Sequence, residues 1–214
     1  KLSTADGSKV ITARRGVVLA TGGFPHNLER RTKYLPIEAS SISATAEGGT
    51  GDGLKLGELA GGGVPSDARN NAYWSPVSKF VRPNGDVGIY LHTVTDRGKP
   101  GMMAINEEGH RFTNEANSYH EFVLGMFKTY KNRPAAPAYL ICDRKSLWEY
   151  GLGAVKPKNI GLKQHLKSGY IIKAQTVEEL ADKLGIDTGE LVRTVQKYNE
   201  DAEIGIDSLF GRGS

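Results

Sequence analysis

The sequence predicts an α+β fold over residues 71–205, preceded over 1–70 by the C-terminal side of an α/β domain and followed over 206–214 by the start of a return toward it. Three observations carry this. An apolar run, Gly16-Val17-Val18-Leu19-Ala20, bounded by turn residues, has the length and composition of a buried strand. Three helix starts are written as capping boxes, Ser118 with Glu121, Thr176 with Glu179, and Asp187 with Glu190. After residue 70 the strand and helix signals do not alternate in a steady βαβ rhythm, which favours α+β there.

The elements follow in order. The strand over 16–20 ends in Thr21-Gly22-Gly23, where glycine lets the chain turn sharply. Residues 44–53 are too rich in glycine for regular structure and lead into a helix over 53–60, whose free N–H groups point back at the loop. Gly61-Gly62-Gly63 ends it. Beyond Tyr73, residues 101–106 and 110–113 read as two strands joined by the turn Asn106-Glu107-Glu108-Gly109. Ser118 opens a helix with Phe122, Val123, Met126, Phe127 and Tyr130 on one face. A buried strand over 138–142 precedes a short helix capped by Asp143 and reaching Tyr150. Residues 157–169 read as a basic loop and 170–174 as a strand. Of the two last helices, the first stops at Gly185, and the second carries Leu191, Val195, Tyr198 and Ala202.

Composition narrows the function. Apolar residues make up 38% of the chain, enough for a core. The 28 Lys+Arg against 24 Asp+Glu are spread along it, and the denser stretch 156–167 lacks the interleaved aromatics that stack bases, so no nucleic-acid partner is expected. The lone Cys142 excludes an internal disulfide and fits a reducing, cytoplasmic setting. No run approaches the ~20 apolar residues of a membrane span. The chain opens at Lys1 without an initiator methionine and stops soon after Leu209-Phe210. It is therefore expected to be a piece of a longer polypeptide, with the remainder as its partner and any targeting segment outside it.

Several chemistries have no signature. Neither G-x-G-x-x-G nor G-x-x-x-x-G-K-[ST] occurs, nor a G-x-S-x-G elbow, and the five histidines show no metal-ligand spacing with Cys142. Three features remain. Ala20-Thr21-Gly22-Gly23 at a strand end can bring backbone against a dinucleotide, or simply turn. Thr50-Gly51-Asp52-Gly53 at a helix start suits a polar ligand group, with Asp52 either accepting a ligand hydroxyl or capping the helix. In Asn114-Glu115-Ala116-Asn117-Ser118-Tyr119, the tyrosine takes the first helical position. The helix dipole there favours a phenolate that can act as general base toward a carbon acid, and a packed first-turn aromatic is the plainer alternative.

Together these segments resemble the fumarate reductase / 3-ketosteroid dehydrogenase group of FAD flavoproteins. The matching residues are Val17 to Phe24 with Asn27, Gly51-Asp52-Gly53, Asp96-Arg97 with Pro100-Gly101, and Asn106 to Phe112. The series continues through Asn114 to His120, Leu140 to Asp143, Tyr150 to Gly153 and Phe210 to Gly213, in order across the chain. The resemblance implies that Ala20, Thr21, Gly22, Gly23, Thr50, Gly51, Asp52 and Gly53 touch FAD, and that the later residues form a cap over the flavin. Fumarate reductases place a proton-donating arginine where this chain has Tyr119, and a His-Pro-Thr motif near Ser75-Pro76-Val77. The resemblance is therefore nearer the ketosteroid branch, which uses a tyrosine there.

What the resemblance implies is an FAD-dependent dehydrogenation of a carbon–carbon bond beside a ketone, a steroid among the candidate substrates, with Tyr119 moving the proton. Arg97, at the place of a relay arginine, and Glu115 support the alternative of a reductase of unsaturated acids. Trp74, with Tyr73, Phe122 and Phe127, is available for an apolar pocket or for the core. No metal is expected. A binding module without activity is the third alternative, and the piece alone is expected to be inert because part of the flavin site lies outside it. Hinges are expected near Asp67–Tyr73 and Gly205–Gly211.

Overall fold

The computed structural model describes residues 2–39, 41–64, 72–93, 95–130 and 137–213. The chain divides into two compact units, Lys1–Lys33 with Thr45–Ala68, and Tyr34–Ala44 with Arg69–Ser214. The boundary expected at 70 and most of the hinge expected over Asp67–Tyr73 fall on 65–71, outside the described residues.

In the first unit, β1 (Leu2–Thr4) and β2 (Gly7–Lys9) pair antiparallel with Leu2 opposite Lys9. Gly7, at a φ of 111°, makes the turn, and Thr4 Oγ1 donates to its carbonyl at 2.8 Å. Two helices follow, α1 (Leu28–Tyr34) and α2 (Asp52–Leu59). Arg30 of α1 grips Glu58 of α2 through two parallel bonds of 3.0 and 2.6 Å. The strand expected over 16–20 does not form. Those residues carry no ladder among the described ones, and Val17 and Val18 stay 76% and 91% exposed. A buried strand needs neighbours on its edges and faces, and among the described residues this unit supplies only one hairpin of three-residue strands.

The second unit holds two further pairs. β3 (Val77–Val81) and β4 (Val87–Leu91) form a hairpin, Val77 opposite Leu91, turning at Gly85. β5 (Met102–Ile105) pairs antiparallel with β6 (Tyr139–Cys142), Met102 opposite Cys142. This corrects the expected pairing of 101–106 with 110–113. The turn is there, with Asn106 Oδ1 accepting from the amides of Glu108 and His110, but residues 110–113 contribute only the single bridge Ile105–Arg111. The preference of β5 for β6 follows from its side chains. Met102, Met103, Ala104 and Ile105 are all buried and need an apolar neighbour, which Tyr139, Leu140 and Ile141 supply and the charged His110-Arg111 does not.

The helices α3 (Tyr119–Thr129), α4 (Arg144–Tyr150), α5 (Leu162–Lys167), α6 (Val177–Leu184) and α7 (Thr188–Glu203) complete the unit. Ser118, Asp143, Thr176 and Asp187 each accept the backbone N–H three residues on, as their spacing required. The stretch 157–169 is not a loop. Gly161, at a φ of 86°, starts α5, and burial of His165 gives that helix an inward face. The expected strand over 170–174 is irregular: the Ile171 amide is turned back onto the His165 carbonyl of α5 at 3.1 Å, and no ladder takes the segment among the described residues. Met103, Ile105, Ala181, Ile186 and Leu191 form the core where β5 meets α6 and α7. No helix among the described residues is long and apolar enough to cross a membrane.

Candidate functional site

In the first unit the two glycine-bearing segments come together. A Cβ built on Gly53 would lie 2.3 Å from Thr21 Oγ1, and one on Gly51 would lie 3.0 Å from Phe24 Cβ. The side chain of Asn27 donates to the Thr50 carbonyl at 3.0 Å, and the His26 amide donates to Gly49 at 3.0 Å. Ala20, Thr21, Gly22 and Gly23 are exposed, and the space above Gly22 is open. Gly51, at a φ of 88°, is the N-cap of α2, and no side chain caps that helix. Asp52 does not cap it. It is the first helical residue and accepts from the Thr50 hydroxyl at 3.1 Å. The result is a surface of bare backbone with the amide end of a helix beside it, the arrangement that receives polar or anionic ligand groups.

In the second unit Tyr119 is the first residue of α3 and is 41% exposed. The residues expected around it are interior. Glu115 accepts from Arg111 Nε and Nη2 at 2.9 and 2.8 Å, from Arg212 Nη1 at 3.2 Å and from the Ala104 amide at 3.1 Å. Asp207 takes the other side of Arg111 at 2.9 and 3.0 Å. The Arg111 guanidinium, stacked 5.1 Å from both the Tyr198 and Phe210 rings, is desolvated by burial, and its two carboxylates still hold it well above its ordinary range. Arg97 is fully buried, and burial lowers its pKa. Its Nη1 donates to the Glu115 carbonyl and its Nε to the His92 carbonyl at 3.2 Å. Trp74 packs edge-on to Phe127 at 5.1 Å, nearly buried, with its indole N–H unpartnered.

A second polar chain lies apart from Tyr119. His92 joins Asp96 at 2.7 Å and Ser78 at 2.6 Å, and Ser78 joins the Tyr170 hydroxyl at 2.7 Å. Burial works to raise the Asp96 carboxyl, yet the His92 bond and the Arg97 and Gly153 amides hold it low. The order Asp, His, Ser has the distances of a nucleophilic triad. Here both sides of the Ser78 hydroxyl are taken, by His92 and by Tyr170, whose hydroxyl also accepts the Ala154 amide at 3.2 Å. A cleft of about 680 Å³ beside it, lined among others by Phe80, Tyr90, Asp96, Tyr150 and Gly153, does not reach Tyr119. Sequence reasoning passed over Asp207, and held Arg111 and Arg212 only as members of the resembling segments, with no role given to them. The spacing Arg111 to Glu115 suggests a local pair, but nothing local ties either to residues about a hundred positions away.

The family model described as FAD binding domain matches residues 2–212. The 4-oxocyclohex-2-ene-1-carboxylate 5-dehydrogenase of Sinomonas cyclohexanicum is 36% identical over 206 residues, covering 95% of this chain and 35% of that protein. The 3-oxosteroid 1-dehydrogenase of Mycobacterium tuberculosis (strain ATCC 25618 / H37Rv) is 34% identical over 213 residues, 96% of this chain and 36% of its own length. Among solved structures, the 3-ketosteroid delta1-dehydrogenase from Sterolibacterium denitrificans in complex with 1,4-androstadiene-3,17-dione aligns with a TM-score of 0.75 at 31% identity, covering 95% of this chain and 36% of that one. The chain thus spans about a third of the length of these relatives.

Proposed function

The chain belongs to the FAD binding domain family of flavoproteins and has the fold of the ketosteroid dehydrogenases, and on that premise we propose that it forms part of a dehydrogenase acting on a carbon–carbon bond beside a ring ketone. Ala20, Thr21, Gly22 and Gly23 with Thr50, Gly51, Asp52 and Gly53 would hold FAD. The fit rests on their geometry: a Cβ at Gly53 would fill the contact with Thr21, and the uncapped start of α2 offers amides to a polar ligand group. When bound, FAD supplies the acceptor for the hydride that leaves the substrate.

Tyr119 would take the proton from the carbon next to the ketone, whose carbonyl acidifies that C–H. The observation that carries this reading is the contrast between Tyr119 and its surroundings. Its ring is substantially exposed at the head of α3, while Glu115 and Arg97, which fix that helix start, are fully buried. In this reading Arg97 and Glu115 are positioning residues, and Trp74 stands behind the site as apolar wall. The ring ketone is favoured because the similar dehydrogenases are named for a 4-oxocyclohexene and for 3-oxosteroids.

The experiment is a Tyr119→Phe change in the full-length polypeptide loaded with flavin, assayed on a 3-ketosteroid and on 4-oxocyclohex-2-ene-1-carboxylate. Removing a general base lowers kcat by about 10²–10⁴-fold with flavin retained. Near-normal turnover would remove Tyr119 from the mechanism. Turnover of fumarate, with neither ketone consumed, would overturn the ketone reading itself.

A further inference from the structure

His120 follows Tyr119 on the first turn of α3 and is half-buried. Its Nδ1 accepts the backbone N–H of Trp74 at 3.3 Å. An imidazole nitrogen that accepts a hydrogen bond is unprotonated, so the neutral ring carries its hydrogen on Nε2. Among the described residues no partner takes that N–H. The ring of Tyr73 lies 5.7 Å from the imidazole at a tilt of 58° and is 89% exposed. The first turn of α3 therefore carries a phenol and an N–H donor on consecutive residues, with an exposed aromatic ring beside the donor's imidazole. The Tyr73 ring stands beside the imidazole and is otherwise largely open to solvent, and a tautomer set by a backbone amide is a fixed donor.

We propose that His120 is a specificity-determining residue, whose Nε2–H donates to a carbonyl or carboxylate oxygen of the bound cyclic ketone while the Tyr73 ring covers the apolar face of that substrate. The inference rests on the reading of Tyr119 as the proton-transfer residue of the same surface. A largely hydrocarbon ring makes few directional contacts, so one fixed donor suffices to set its register against the phenol. The Trp74 amide, bonded at Nδ1, is what leaves the ring's hydrogen on Nε2.

Two substitutions separate this role from a structural one in the full-length, flavin-loaded polypeptide. Asparagine places an acceptor near Nδ1, keeping the Trp74 bond, and ends short of Nε2. Glutamine reaches the Nε2 position with a donor and leaves the Trp74 amide without its acceptor. His120→Asn is expected to raise KM for the ketones, and their dissociation constant read from the flavin spectrum, by about tenfold with kcat little changed. His120→Gln is expected to stay within about threefold of the parent. The reverse order would reduce His120 to a brace for Trp74, and a fall in kcat at constant KM would place it in the proton transfer instead; either overturns the proposal. Nitrogen NMR of the labelled parent should show neutral His120 protonated at Nε2 and bare at Nδ1. The opposite tautomer sinks the inference whatever the activity. Should the parent turn over no ketone, the Tyr119 reading fails by itself, and the tautomer and the ketone titrations still judge His120.

Discussion

The guanidinium carbon of Arg97 lies 4.8 Å over the ring of Phe122, so a fully buried cation rests on the helix that begins at Tyr119. The same side chain donates to the carbonyls of Glu115 and His92, and thereby ties the segment before Tyr119 to the end of β4.

Lysine cannot reproduce this. Its single ammonium has no planar fork to reach two carbonyls and no flat face to stack. Arg97→Lys is expected to cost about 2–3 kcal/mol, the price of two buried carbonyls losing charged donors. Urea unfolding measures it, and a midpoint equal to the parent's would show that the stacking and both bonds are dispensable.

Glu115→Gln tests the other half of the frame. The carboxylate balances Arg111 and Arg212, with side-chain exposures of 0% for Glu115 and 1% for Arg111. A neutral amide leaves the Arg111 guanidinium with Asp207 as its remaining carboxylate, and that of Arg212 with only the carbonyls of Met102 and Lys99. Breaking a buried pair from one side costs about 3–5 kcal/mol, because the remaining charge stays desolvated. The expected result is an unfolding midpoint well below that of the parent, together with weaker ketone turnover as the start of α3 loosens.

These two frames mark where the sequence stops being legible. The capping residues Ser118, Asp143, Thr176 and Asp187 were readable because a cap acts three residues away, within the window in which a pattern can be seen. Thr21 and Gly53 were each visible as small residues at an element end, but not as neighbours. Asp207 and Arg212 reach Arg111 and Glu115 across most of the second unit, a choice made by tertiary packing alone. The hairpin β3–β4 was missed because Lys79 and Arg82 interrupt its apolar alternation. The strand over 16–20 failed for the opposite reason, since its local pattern is strong and the described residues of the first unit offer it no strand partner.

Acid should act on the Asp207 cluster first. Burial works to raise this carboxyl, but the two bonds from Arg111 and the amides of Arg212 and Phe210 hold it at about 2, below the ordinary 3.8. A folded value below the unfolded one means that the unfolded chain binds more protons in that interval. The stability contributed is complete above 3.8 and drains away as pH falls toward about 2. Asp96, held low against burial by His92, adds in the same direction. Urea midpoints should fall as pH drops from about 4 to about 2, and Asp207→Asn should start lower yet fall less over that interval. An equal fall in both proteins would locate the acid sensitivity elsewhere.

The proposed flavin cradle makes the last prediction through a single methyl group. An added Cβ at Gly53 would sit 2.3 Å from Thr21 Oγ1, too close for any real contact, while Thr21 Cβ lies behind it at 3.6 Å. Alanine is the better helix former by about 1 kcal/mol, so Gly53→Ala should strengthen α2 itself. Any loss must then come from pushing the Thr21 segment away from the start of that helix. Gly53→Ala in the full-length polypeptide is expected to purify with much less flavin per protein, read from the visible absorbance. Thr21→Ala in the same chain removes the clashing oxygen and leaves an ordinary contact, so the double variant should hold more flavin than Gly53→Ala alone. If Gly53→Ala keeps its full flavin content, the close approach of these two segments is not what forms the cradle.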